Sequence, residues 1–322
     1  MIKTVFPESE ELRRFLAREG WEPAHAAQEL GAGNRHRVFL LEHGDRRAVL
    51  KIHEPPAPGR RNAFDHEVLM HSFYAEQMGA AVPAMAAQDA TCRAILFEHV
   101  PGVVVSGREN KMRDTEAMAC FILDSNRPEV LHRARAVGVP QASEGGASAL
   151  DHWRCAAARL DELMVLTAED DVTARMQEFL RSEVLPALTT VKPKDGAMVP
   201  QCLSPSDFGF HNIIRRENGS LCFLDFEHAG WDNPAKLVAD FILQPEAPLS
   251  DLAARRFVEL LESGAPFGDA IGRHAGQILL TQKCKWTAII LNVFVRSTSD
   301  PIAKAARLTK ASNYWRTALP NF

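Results

Sequence analysis

The sequence predicts an α+β chain in two parts: a small β-rich N-terminal part with one helix, and a larger, mostly helical part carrying one hairpin. Three observations lead there. Runs of strand character cluster before residue 98 and recur only around 199–224. Helical periodicity fills most of 112–190 and the chain from Lys236 onward. Strands and helices do not alternate as a doubly wound parallel sheet requires.

Taken in order, Glu10 to Glu19 has the spacing of a short amphipathic helix. Gly31-Ala-Gly-Asn-Arg-His-Arg37 leads into Val38-Phe-Leu-Leu41. After the turn His43-Gly44-Asp45, the run Ala48-Val-Leu-Lys-Ile52 supplies the second strand of a hairpin. Pro55, Pro56, Pro58 and Gly59 interrupt the chain. Asn62 to Gln77 fits a helix, with Phe64, Val68, Leu69 and Phe73 at near-helical intervals. Ala94-Ile-Leu-Phe97 reads as a strand running into Glu98-His-Val-Pro-Gly102, whose Pro and Gly mark a linker. The helical stretch 112–190 is broken by a Pro/Gly/Ser-rich loop near Gly138 to Gly146. Further on, Ile213-Ile214 and Leu221-Cys-Phe-Leu224 flank the turn Glu217-Asn-Gly219. No internal repeat or low-complexity tract is present.

The chain has 322 residues, 46% hydrophobic and 24% charged, with a formal net charge of -4. That is enough apolar material for one large core or two modest ones. Nucleic-acid binders usually carry a basic excess, so nucleic acid is not an expected partner. Cys92, Cys120, Cys155, Cys202, Cys222 and Cys284 lack the short spacing of a zinc knuckle or redox pair. Several lie in apolar runs, which suits buried free thiols in a reducing cytoplasm. The opening MIKTVFPESEELRRFL has no apolar signal core, and Trp286 to Val295 is too short to cross a bilayer. A cytoplasmic chain without a membrane partner is the expectation.

The chemistry concentrates in Ser204-Pro-Ser-Asp-Phe-Gly-Phe-His-Asn-Ile-Ile214 and in Leu221-Cys-Phe-Leu-Asp-Phe-Glu-His-Ala-Gly-Trp-Asp-Asn-Pro234. Asn212 follows Asp207 by five positions, the Asp-to-Asn interval of a kinase catalytic loop. Asp225 follows at the end of an apolar strand, and the hairpin returns it beside Asn212. An acceptor hydroxyl must be oriented in line with a γ-phosphorus and lose its proton, which asks for a carboxylate, Asp207. Mg²⁺ on the triphosphate takes hard oxygen ligands, which Asn212 and Asp225 offer. Either aspartate alone reads as a turn residue; the trio at these intervals reads as phosphotransfer machinery. No P-loop, zincin or nucleophile-elbow motif competes.

These two stretches resemble the signature of the aminoglycoside phosphotransferase and choline kinase family: His-Gly-Asp-x-x-x-x-Asn, an apolar hairpin, then Ile-Asp-Phe/Trp. The resemblance covers roughly residues 25–245 and implies a two-lobe, protein-kinase-like α+β fold. It implies an N-lobe over 1–98 with a nucleotide-binding sheet and one helix, a hinge at 99–102, and a catalytic and substrate-binding C-lobe over 103–322. Lys51 is similar to the strand lysine that holds the α/β-phosphates, and Glu67 to the helix glutamate that orients it. Gly31, Gly33 and Asn34 correspond to a phosphate-covering loop, and Glu98 and Val100 to hinge positions facing the purine.

Two departures stand out. Pro205 replaces the family histidine that braces the loop, and Ser206 replaces the glycine. A further family aspartate would fall at Leu237, with Asp240 one helical turn on as a substitute. The implied activity is transfer of the γ-phosphoryl of ATP or GTP, with Mg²⁺, to a small-molecule hydroxyl. A sugar or sugar-like metabolite is the favoured acceptor. The alternatives are a nucleotide-binding pseudokinase with a regulatory role, an antibiotic-modifying kinase, and a scaffold without nucleotide affinity.

Overall fold

The computed structural model describes residues 9–21, 26–32, 36–56, 59, 61–105, 112–295 and 300–320. The first elements are α1 (Glu10–Arg18), β1 (Ala26–Ala32), β2 (His36–His43), β3 (Arg46–His53), α2 (Ala63–Met78), β4 (Met85–Asp89), β5 (Ala94–Glu98) and β6 (Val103–Val104). Next come α3 (Met112–Ser125), α4 (Pro128–Ala136), α5 (Ala149–Met164), α6 (Asp171–Phe179), α7 (Leu185–Thr190) and β7 (Cys202–Ser204). β8 (Ile213–Arg215), β9 (Leu221–Phe223), β10 (Gly230–Asp232), α8 (Pro234–Ile242), α9 (Asp251–Gly264), α10 (Gly268–Ile290) and α11 (Pro301–Arg316) complete the chain. They fall into two units, Met1–Val105 with Asn212–Ala229, and Ser106–His211 with Gly230–Phe322.

The first unit is built on an antiparallel sheet in the order β1-β2-β3-β5-β4. Side chains alternate between the faces of a strand. Ala48 and Leu50 of β3, with Ala94 and Leu96 of β5, therefore pack with Leu12, Phe15 and Leu16 of α1. Val49, Ile95 and Phe97 pack on the opposite side with Phe64 and Val68 of α2. Lys51 and His53 share the parity of Val49, which commits both to the α2 face. The strands β1 and β4 have no counterpart in the sequence expectation. They are the sheet edges, and their sequences, AAQELGA and MAAQD, are poor in the β-branched and aromatic residues that mark strands.

The sequence expectation placed the hairpin of β8 and β9 in a C-terminal part beginning at 103. The structure divides the chain at 105/106 instead and groups 212–229 with the first unit. The reason is local: β6 adds to the hairpin as a third strand, in the order β6-β8-β9. Gly102 permits this approach, because a Cβ there would stand 2.4 Å from the Arg215 carbonyl oxygen. Phe226, three residues past β9, is buried and stacks on Tyr74 of α2 at a centroid distance of 4.4 Å.

The second unit is helical. Its core joins α5, α6, α7, α10 and α11 through residues such as Leu160, Met176, Leu188, Cys284 and Leu308. Between α6 and α7 the helix widens into a π-turn over Leu180–Val184, beside Pro186, whose ring cannot follow a regular i−4 carbonyl. Gly268–Val295 forms one continuous helical stretch, far longer than the apolar run 286–295 marks. It is long and apolar enough to cross a membrane by length and composition, yet Ile278, Cys284, Ala288 and Leu291 lie in the unit's core clusters. It also carries the buried Lys283 and Lys285.

Candidate active site

In the first unit, Lys51 is 4% exposed. Its Nζ lies 2.8 Å from Glu67 Oε2, 2.9 Å from Asp225 Oδ1 and 3.4 Å from Glu227 Oε2. Burial opposes the ammonium's charge, but Asp225, then Glu67 and Glu227, outweigh it and hold the Lys51 pKa well above the usual lysine value. Glu67 is likewise opposed by burial, yet Lys51 and then His53 hold its carboxyl down to about 2. The α2 face supplies the geometry. Glu67, His71 and Tyr74 recur at helical spacing, and Phe226 packs edge-on against His71 and flat on Tyr74. That packing pins Asp225, the preceding residue, beside Lys51. Asp225 itself takes φ +62°, a left-handed backbone that aspartate tolerates better than most residues.

Asn212 ends the 3₁₀ turn Phe210–Asn212, and its carbonyl accepts the Leu224 N–H at 2.9 Å. The hairpin register thus sets Asn212 across the ribbon from the residue before Asp225. The Asp225 side chain is 25% exposed, so only part of it is engaged by Lys51.

In the second unit, Asp207 follows β7, which Asn126 brackets by donating to the Leu203 carbonyl at 2.9 Å and accepting from the Leu203 N–H at 2.7 Å. Phe208 and Phe210 are buried against Phe121 and Phe241 and anchor the loop. The Asp207 side chain stays 34% exposed and sits 3.3 Å from His211 Nε2.

Of the other anticipated residues, Gly31 lies within β1, opposite Val38 and next to a bulge. Gly33 and Asn34 are outside the described residues. Glu98 ends β5 with its N–H donated to the Ala84 carbonyl, and Val100 is buried.

The sequence profile of the phosphotransferase enzyme family matches residues 26–267. This chain belongs to that family. Among curated proteins no sequence matches it. Among solved structures, the ethanolamine kinase of Plasmodium vivax superimposes with a TM-score of 0.62 at 13% identity, covering 97% of this chain and 91% of that one. Choline kinase LicA from Streptococcus pneumoniae gives 0.60 at 10% identity, covering 95% and 98%. Spectinomycin phosphotransferase, solved with ADP and spectinomycin, gives 0.67 at 10% identity, covering 96% and 95%. At such identities these likenesses speak to the fold, which is the expected protein-kinase-like α+β class.

Within this phosphotransferase, the loop departures acquire a physical account. The position of the family glycine has φ +68°, and Ser206 occupies it. Its N–H donates to Ser204 Oγ at 3.0 Å, and Lys236 Nζ reaches its hydroxyl at 3.5 Å. Lys236 is fully buried, 2.5 Å from Asp232 and 3.0 Å from Asp240, and Asp240 also meets Lys285 at 3.3 Å. Asp240 therefore acts on the loop through Lys236 rather than directly. Burial opposes the Lys236 charge, and Asp232 and Asp240 override it, raising its pKa.

Sequence reasoning left several site residues unassigned. His53 Nε2 is 2.8 Å from Glu67 Oε2, and His36 Nδ1 is 3.3 Å from Glu227 Oε2. Period-two alternation on β3 carried the signal for His53. His211, given no role, places Nε2 3.3 Å from Asp207 Oδ2, and His228 Nε2 lies 3.3 Å from Glu227 Oε1.

Proposed function

We propose that this phosphotransferase moves the γ-phosphoryl of ATP or GTP to a hydroxyl of a small molecule. The observation that carries the reading is the buried Lys51 ammonium held between Glu67 and Asp225. A buried ion cluster stabilises a fold less than apolar packing of similar volume, so its presence points to a task beyond folding.

In this reading Asp207 orients the acceptor hydroxyl and takes its proton as the new O–P bond forms. The bond from the γ-phosphorus to the bridging oxygen breaks, and the nucleoside diphosphate leaves with that electron pair. Lys51, oriented by Glu67, binds α/β-phosphate oxygens. Gly31, Gly33 and Asn34 supply backbone N–H groups to the phosphates, and the backbone at Glu98 and Val100 meets the purine edge. Nucleotide phosphates compete with Asp225 for Lys51 and free the carboxylate to accept a cation. The Asp225 carboxylate and the Asn212 amide oxygen are hard donors and suit Mg²⁺. Bound there, the ion supplies charge neutralisation on the transferring group.

Thermal unfolding with Mg-ATP or Mg-GTP tests nucleotide binding, since ligand at about 100 times its Kd adds about 2.7 kcal/mol. Asp207→Ala is expected to lower acceptor-dependent turnover by roughly 10²- to 10⁴-fold, the usual contribution of a general base. Turnover by that variant equal to wild type removes Asp207 from the mechanism. Nucleotide binding with no transfer to any acceptor assigns the chain to a regulatory role instead. The favoured acceptor is a sugar or sugar-like metabolite, with a cationic antibiotic as the alternative.

A further inference from the structure

A groove of about 600 Å³ lies in the second unit, between the chain that follows α8 and one side of α11. Small-molecule sites span roughly 300–1,000 Å³, so the groove is of ligand size. Gln244 lines it and is itself only 4% exposed. Its Nε2 reaches the catalytic loop: a Cβ built on Gly209 would stand 3.2 Å from it. Gly209 lies between Asp207 and the His211 that contacts Asp207. Gln244 thus links the lining of the groove to the loop that carries Asp207.

Its lining has little to hold a cation. Among the described residues two charged ones contribute, Asp251 and Lys310. Lys310 is paired with Glu246, and Asp251 sits in the first turn of α9, where the helix dipole compensates it. Among the described lining residues Tyr314 is the one aromatic, and its hydroxyl donates to the Leu243 carbonyl at 2.8 Å. Quaternary ammonium groups are held by several ring faces or by carboxylates, and the described lining residues offer neither arrangement. Instead, Gln244, Asn313 and Thr309 offer both donors and acceptors, the pattern that matches hydroxyl groups. Pro245, Pro248 and Leu249 add an apolar wall suited to the C–H face of a ring.

We infer that this groove selects a neutral, hydroxyl-rich acceptor of the carbohydrate or polyol class over an amine, with Gln244 as a specificity-determining residue at its catalytic end. The inference rests on the phosphotransfer reading of Asp207. Diphosphate release by the full chain with Mg-ATP or Mg-GTP tests it against two acceptor sets. The neutral set is D-glucose, D-ribose, glycerol and myo-inositol; the cationic set is choline, ethanolamine and kanamycin. At least one neutral acceptor is expected to raise turnover roughly tenfold or more over water, a modest barrier change, while the cations do not. Stimulation by cations alone, or by no member of the neutral set, overturns the inference, and nucleotide-induced thermal stabilisation in the same samples keeps the phosphotransfer reading standing. A chain that binds neither nucleotide takes both down. In Gln244→Glu, which keeps the side chain's length, KM for the neutral acceptor is expected to rise roughly tenfold, the loss of one good hydrogen bond, with a smaller change in kcat. An unchanged KM in a variant that melts like wild type also overturns it.

Discussion

Lys51→Met isolates the electrostatics at the centre of the candidate site. The substitution keeps an unbranched apolar stem and removes the charge that Glu67, Asp225 and Glu227 share. In the wild-type fold Glu67 is held at about 2 against an ordinary 4.5. At about 1.4 kcal/mol per tenfold, that difference contributes about 3 kcal/mol at neutral pH. Because the folded value is depressed, the contribution is present above pH 4.5 and is lost as pH falls toward 2. Without the ammonium, burial opposes the Glu67 charge with His53 left to offset it, so the Glu67 pKa rises. The carboxyl then takes up its proton at higher pH than in the wild type, and the deficit grows as pH rises through that higher value. Removing one partner of a buried ion pair typically costs about 3–5 kcal/mol. Urea unfolding at pH 5 and 7 should show the variant weakened by that amount at pH 7 and by less at pH 5, while the wild type loses nothing from Glu67 over this interval. Adding Glu67→Gln to Lys51→Met should recover part of the loss, because it removes a stranded charge. A variant whose stability deficit is the same at both pH values would refute the assignment of Lys51 as the group that keeps Glu67 ionised.

Two further substitutions probe backbone constraints. Ser206→Gly relieves the φ of +68° and should raise thermal stability, by up to about 1 kcal/mol in a calorimetric scan, less whatever the contact with Lys236 contributes. Gly102→Ala forces a Cβ to within 2.4 Å of the Arg215 carbonyl oxygen and should cost about 2 kcal/mol or more, read as a lowered urea midpoint.

Lys51 and Glu67 were singled out by the family resemblance, and Asp225 by its interval after Asn212 and the hairpin between them. The structure gives the physical reason they meet: β3 alternation puts Lys51 on the α2 face, Glu67 is buried on α2, and the register of β8 and β9 returns Asp225 beside Asn212. The edge strands were not legible, since Ala, Gln and Gly carry little strand preference and edges bury few side chains. Nor was the grouping of 212–229 with the first unit. It depends on Val103 and Val104, an exposed β-branched pair whose partner in the β8 edge lies more than a hundred residues away in sequence. The pairing of His211 with Asp207 escaped for a related reason: a loop has no period from which a facing residue can be read.

The loop departures form one physical problem with one solution. Replacing a bracing histidine by Pro205 removes a side chain that can bond, and Leu237 removes a carboxylate, so the loop needs other anchors. Four groups supply them. Asn126 clamps both backbone groups of Leu203, Ser204 Oγ takes the Ser206 N–H, and Phe208 with Phe210 fills the core around Phe241. Lys236 completes the set, since its ammonium, held by Asp232 and Asp240, also reaches the Ser206 hydroxyl. A lysine so deeply buried is tolerable only because two carboxylates offset its desolvation, and Asp240 is in turn balanced by Lys285. The acidic residues around α8 are thereby committed to holding the loop.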